Sequence, residues 1–149
     1  MDPTFTVFII VNRPRHEVYE AVADPAKLSA YFTTGGASAR PEAGRQVMWD
    51  FADFPGAFPV HVTEVVPDDR IAFDWKANDP ESDYQLRITF RFSSVGGDRT
   101  KVEIDEAGWH DTPAGRKASY GNCMGWSQML AALKAWAEHG INLRDGAYK

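Results

Sequence analysis

The stretch Gly125-Trp126-Ser127-Gln128-Met129-Leu130-Ala131-Ala132-Leu133-Lys134-Ala135-Trp136-Ala137 decides the fold. Trp126, Met129, Leu130, Leu133 and Trp136 recur at helical spacing, so these large apolar groups share one face. No other helix candidate in the chain is as long or as apolar. Such a stripe has to be buried against another layer. The helix is expected from about Arg116 to Glu138, with Gly140 ending it in a left-handed conformation.

Working back from it, the chain supplies the missing layer. Tyr84 to Ser93 alternates cleanly, Tyr84, Leu86, Ile88, Phe90 and Phe92 against Gln85, Arg87, Thr89, Arg91 and Ser93. Gly96-Gly97-Asp98 reads as a hairpin turn, and Val102, Ile104 and Glu106 continue on one face beyond it. Ile71, Phe73 and Trp75 oppose Ala72, Asp74 and Lys76, with Pro67-Asp68-Asp69 as the preceding turn. Val47, Trp49 and Phe51 alternate likewise, a Phe54-Pro55-Gly56 turn leads to Val60 and Val62, and a break in period at Glu64 to Val66 suggests a bulge. Ala37 to Arg40 is a weak strand, and Thr4 to Val11 opens the chain as another. One-sided alternation means an antiparallel sheet with one wet and one covered face.

Two short helices follow the first strand. Pro14 suits a first helical turn before Val18, Tyr19 and Val22, and Asp24-Pro25 caps and opens a second helix carrying Leu28, Tyr31 and Phe32. The order is strand, two short helices, about six further strands, long helix. The expectation is a single α+β domain over residues 1–149: a curved antiparallel sheet of six to seven strands gripping the terminal helix.

Composition bounds the function. The 149 residues suffice for one core, and 44% apolar with 25% charged residues is a globular balance. The net charge of −5, with no cluster of Lys and Arg, argues against nucleic acid or an anionic membrane as partner. No apolar run approaches the roughly 20 residues of a membrane span, and no signal-peptide pattern opens the chain, so a cytoplasmic protein is expected. Cys123 excludes an internal disulfide and reads as a small buried hydrophobe.

The residues now carry a resemblance. Val11-Asn12-Arg13-Pro14-Arg15-His16-Glu17-Val18-Tyr19-Glu20-Ala21-Val22 with Asp24-Pro25 resembles the opening of START-like (SRPBCC, birch-pollen-allergen-like) domains. Val62-Thr63-Glu64-Val65-Val66-Pro67-Asp68-Asp69-Arg70-Ile71-Ala72-Phe73-Asp74-Trp75 is similar to the mid-chain signature of the branch named for the activator of heat-shock protein 90 ATPase. Thr100 to Ile104, Gly108 and Gly125-Trp126 with Leu130 and Leu133 complete that pattern, over roughly Thr4 to Ile141. The resemblance implies a helix-grip fold. It also implies a range of activities: lipid and hormone carriage, polyketide cyclisation, or contact with a chaperone.

Motif chemistry is sparse. His16, His61, His110 and His139 form no i,i+4 pair, so no metal is implied, and neither Gly35-Gly36 nor Gly96-Gly97 forms a phosphate loop. No cofactor is expected, and no nucleophile elbow is present. Alternation sends His61 to the wet face, whereas His110 stands in the loop before the long helix. Glu106 continues the covered face of its strand, and a desolvated carboxyl there has a raised pKa.

The expected function is binding of a small hydrophobic or aromatic molecule in a cavity between sheet and helix. Its walls would be Tyr31, Phe32, Trp49, Phe51, Phe73, Trp75, Tyr84, Leu86, Ile88, Trp126, Met129 and Leu130, with Glu106, Tyr31, Tyr84 or Tyr120 giving polar orientation. An enzyme of cyclase, hydrolase or isomerase type would instead use Glu106 with a tyrosine or His110. A co-chaperone-like interaction module is the third reading.

Overall fold

Alternating strands and tight turns close into a seven-stranded antiparallel sheet in the computed structural model, which describes residues 2–149. The elements are β1 (Phe5–Val11), α1 (Arg15–Ala23), α2 (Pro25–Leu28), β2 (Gly36–Ala37), β3 (Gln46–Phe51), β4 (Phe54–Val66), β5 (Arg70–Lys76), β6 (Gln85–Ser94), β7 (Thr100–Ala107) and α3 (Pro113–His139). The strand order is β1-β7-β6-β5-β4-β3-β2. Sequential strands pair as hairpins, and β1 closes onto the last strand, Phe5 opposite Glu106 and Val11 opposite Thr100.

The inward faces are those the alternation names. Leu86, Ile88, Phe90 and Phe92 on β6, and Val102, Ile104 and Glu106 on β7, are all buried. Trp126, Met129, Leu130 and Leu133 of α3 meet them, while Trp136 stacks on Tyr31 with ring centroids 5.5 Å apart. The outer face is laced with ion pairs such as Arg87 with Asp74 and Arg91 with Asp105, and His61 stands exposed there.

Several boundaries differ from the expectation, each for a local reason. The long helix starts three residues earlier, at Pro113, because the Thr112 hydroxyl caps it by accepting from the Gly115 N–H, 3.0 Å away. The Phe54-Pro55-Gly56 turn is absent: the chain reverses at Ala52 and Asp53, and β4 begins at Phe54. Pro55 and Pro59 are tolerated because β5 pairs with β4 only from His61 onward, so no ladder bond toward β5 is lost. The bulge falls between Val62 and Glu64, and β2 is only Gly36–Ala37. Strand β6 is shifted by one residue, leaving Tyr84 just before it and half-buried. Cys123 is partly exposed rather than buried.

Two ties hold the C-terminal end of α3. Gly140 closes it at φ 68°, and Glu138 accepts from Lys134 Nζ (2.7 Å), the Asn12 N–H (3.1 Å) and Asn12 Nδ2 (3.2 Å). Residues beyond Gly140 fold back: Arg144 clamps Asp53 with two N–H donors at 3.0 Å, and the Tyr148 hydroxyl donates to Gln128 Oε1. Among the described residues no helix is long and apolar enough to cross a membrane.

Candidate functional site

The two halves of α3 behave differently. From Trp126 onward its apolar stripe is sealed onto the sheet. The earlier half stands beside a hollow of about 950 Å³, open to solvent. That volume falls within the range of roughly 300–1,000 Å³ typical of small-molecule sites. Its helix wall comprises Ala114, Lys117, Ala118, Gly121, Asn122 and Gly125. Facing it are Phe32, Phe51, Phe54 and Trp75, with Trp126 at the inner end. The loop after β5 adds Asn78, Pro80 and Glu81, and the folded-back C-terminal segment adds Arg144 and Tyr148.

Small residues make the space. Ala114, Ala118, Gly121 and Gly125 recur at intervals of four, three and four along α3, the spacing of one helix face. A Cβ placed on Gly121 or Gly125 would meet nothing within 4 Å. Across from this smooth wall the aromatic rings are mutually braced. Trp75 stacks on Trp126 at 5.1 Å and 25°, Phe32 meets Phe51 edge-on at 5.0 Å, and Phe58 supports both Phe51 and Trp75 at 5.7 Å. Arg144 lies over the Phe51 ring at 4.4 Å, a cation–π contact that its Asp53 pair reinforces. The Trp75 indole N–H is buried and has no acceptor among the described residues.

Glu106 lies behind this wall and is fully buried. Its Oε1 accepts from Trp109 Nε1 (2.7 Å) and its Oε2 from Trp126 Nε1 (2.7 Å), while Asn122 Nδ2 reaches both oxygens at 3.1 and 3.2 Å. No ion pair to it is found among the described residues. Burial raises its pKa, and the three N–H partners pull in the opposite direction without cancelling the rise. The carboxylate thus fixes two cavity residues, Trp126 and Asn122, without itself lining the hollow. Trp109 reaches it because Gly108 turns the chain at φ 109°, where an added Cβ would come within 3.2 Å of the Gln85 carbonyl.

The other expected site residues divide by location. Phe32, Phe51, Trp75 and Trp126 line the hollow. Trp49, Phe73, Leu86, Ile88 and Leu130 pack into the core, and the space left beneath the sheet near Trp49 and Phe73 is only about 20 Å³. Tyr31 and Met129 border a separate recess of about 280 Å³ under the C-terminal segment, and the Tyr31 hydroxyl donates to the Ala21 carbonyl at 2.9 Å. Tyr120 is 70% exposed, outside the hollow's lining. Tyr84 donates to Asp79 Oδ2 (2.7 Å), accepts from the His110 N–H (3.1 Å) and stacks on the His110 ring. That knot anchors the loop carrying Pro80 and Glu81, since Asp79 also accepts from the Glu81 N–H. Ala114, Ala118, Gly121, Gly125, Asn122, Lys117 and Arg144 escaped the sequence reading. The four-three-four small-residue spacing was the available signal for the first four.

Among the described residues no three of His, Cys, Asp and Glu are grouped as a metal ion would require. No curated protein matches the sequence significantly. Solved structures do match. Protein SSP2350 from Staphylococcus saprophyticus is 27% identical with a TM-score of 0.80, over 95% of this chain and 96% of that one. DynU16, from the dynemicin biosynthetic locus, is 26% identical with a TM-score of 0.75, over 94% of this chain but 49% of its own. The Aha1 protein from Colwellia psychrerythraea, solved as a dimer, shares the fold at 22% identity and a TM-score of 0.76, over 94% and 99%. Residues 12–138 match the family described as activator of Hsp90 ATPase homolog 1-like protein, and with strand order, gripped helix and sequence in agreement, the chain belongs to that family.

Proposed function

We propose that this protein binds a small hydrophobic or aromatic molecule in the hollow beside the N-terminal half of α3. One observation carries the reading: a helix wall built largely of glycine and alanine, with Lys117 and Asn122 among them, faces a braced aromatic wall across about 950 Å³. Apolar burial of roughly 25 cal/mol per Å² drives binding, reduced by the cost of ordering the guest. Glu106 supports this reading as a positioning residue, since its oxygens accept from Trp126 and Asn122 of the wall and from Trp109 behind it. The likeness to DynU16, a protein of the dynemicin biosynthetic locus, fits a guest of natural-product type. A cytoplasmic setting belongs to the proposal.

Native mass spectrometry of freshly expressed protein, followed by a thermal-shift screen of fatty acids, flavonoids and aromatic polyketides, tests it. A guest at 100-fold over its Kd adds about 2.7 kcal/mol of stability. No adduct and no shifted midpoint across those classes would end the proposal. The family description favours a second reading, contact with a chaperone. Stimulated ATP hydrolysis by that chaperone is its test.

A further inference from the structure

We infer that the guest is an aromatic organic anion, its ring set between the α3 glycines and the aromatic wall and its anionic oxygen meeting the Lys117 ammonium. This rests on the ligand-binding reading above and adds the chemical class.

The charges lining the hollow are Lys117, Arg144 and Glu81. Arg144 is already committed, donating from Nε and Nη2 to Asp53, and both partners are mostly buried. Most other cations are likewise spent: Arg40 on Glu20, Arg70 on Glu64, Arg87 on Asp74, Arg116 on Asp111 and Lys134 on Glu138. In a chain of net charge −5, acids outnumber bases, yet Lys117 has no ion pair among the described residues. It stands in the second turn of α3, on the helix side of the hollow. Glu81 is the opposing group. It belongs to the loop wall, so it repels an anion from that side and leaves the helix side as the place for one.

The shape of the hollow selects a guest independently of charge. With no side chain at Gly121 or Gly125, the helix leaves open space facing Phe32, Phe51 and Trp75, and Trp126 stacked on Trp75 closes the inner end. Such a slot suits a planar ring system better than a branched or flexible guest.

Two dyes with one ring skeleton separate the possibilities: anilinonaphthalene sulfonate, an anion, and phenylnaphthylamine, which lacks the sulfonate. Fluorescence titration of the folded protein should show the sulfonate binding at least about fivefold more tightly. Lys117→Met should weaken the sulfonate about three- to tenfold and leave the neutral dye within twofold. Glu81→Gln should tighten the sulfonate, and added salt should reduce its advantage. Gly125→Leu, which fills the slot, should abolish both.

Equal affinities, or a Lys117→Met effect shared by both dyes, would overturn the anion assignment while leaving the cavity reading in place. Retention of both dyes by Gly125→Leu would overturn the assigned location. If neither dye binds the parent protein, the cavity reading falls and the inference with it.

Discussion

Glu106 is held by two indole N–H groups and an amide, so it works as an acceptor on both oxygens. Glu106→Gln puts an N–H₂ where one of those donors points, and the substitution should cost about 1–3 kcal/mol in urea unfolding. The pH dependence has a definite sign. A folded-state pKa above the unfolded one means the native state holds the proton more tightly. Its stabilising contribution is therefore full below about pH 4.5 and is lost as pH rises through the folded pKa. Glu106→Gln should flatten that fall, and urea midpoints collected between pH 4 and 8 check it. The inward position of Glu106 was legible from the Val102-Ile104-Glu106 alternation. Its partners were not: Trp109 stands in a loop with no period, and nothing in sequence tells Asn122 from a solvated helix position.

At the scale of the element, α3 is two helices in one. Its C-terminal half is fastened at Glu138, where burial pushes the carboxyl pKa up but Lys134 and Asn12 outweigh it, bringing it down to about 2. Here the sign is opposite: the contribution is present above about pH 4.5 and disappears as pH falls toward 2. Glu138→Gln should destabilise the protein by about 1–3 kcal/mol at pH 7, and the gap from the parent should shrink steadily below pH 4.5. The N-terminal half carries the opposite bias, two glycines in a helix interior with open space around them. Gly125→Ala should raise stability by roughly 0.5–1 kcal/mol, measured by thermal unfolding, while reducing guest affinity. The helix itself was legible because five large apolar residues mark its sealed face. The open face was harder to see, because small residues give no hydropathy signal and read as filler.

Across the whole molecule, the run of hairpin-paired strands and the gripped helix followed from alternation and turn spacing, which are local and therefore readable, whereas the pairing of β1 with β7 joins Phe5 to Glu106 and has no local signal. The hollow is not local. It lies where β3, β5, the loop after β5, α3 and the C-terminal segment meet, and those parts are far apart in sequence. The segment after Gly140 has no periodicity, so neither Arg144 on Asp53 nor Tyr148 on Gln128 could be foreseen. Ending the chain at Gly140 should leave the sheet and α3 folded, because the core contains none of the removed residues. Circular dichroism should change little, while a bound dye should dissociate faster in stopped flow as one wall is gone. The same separation has a consequence for descent. Bulk at positions 121 and 125 sets the size of the chamber, and neither position takes part in holding the layers together. Relatives can therefore trade one cargo for another by swapping residues of different volume at two sites, keeping an unaltered scaffold throughout.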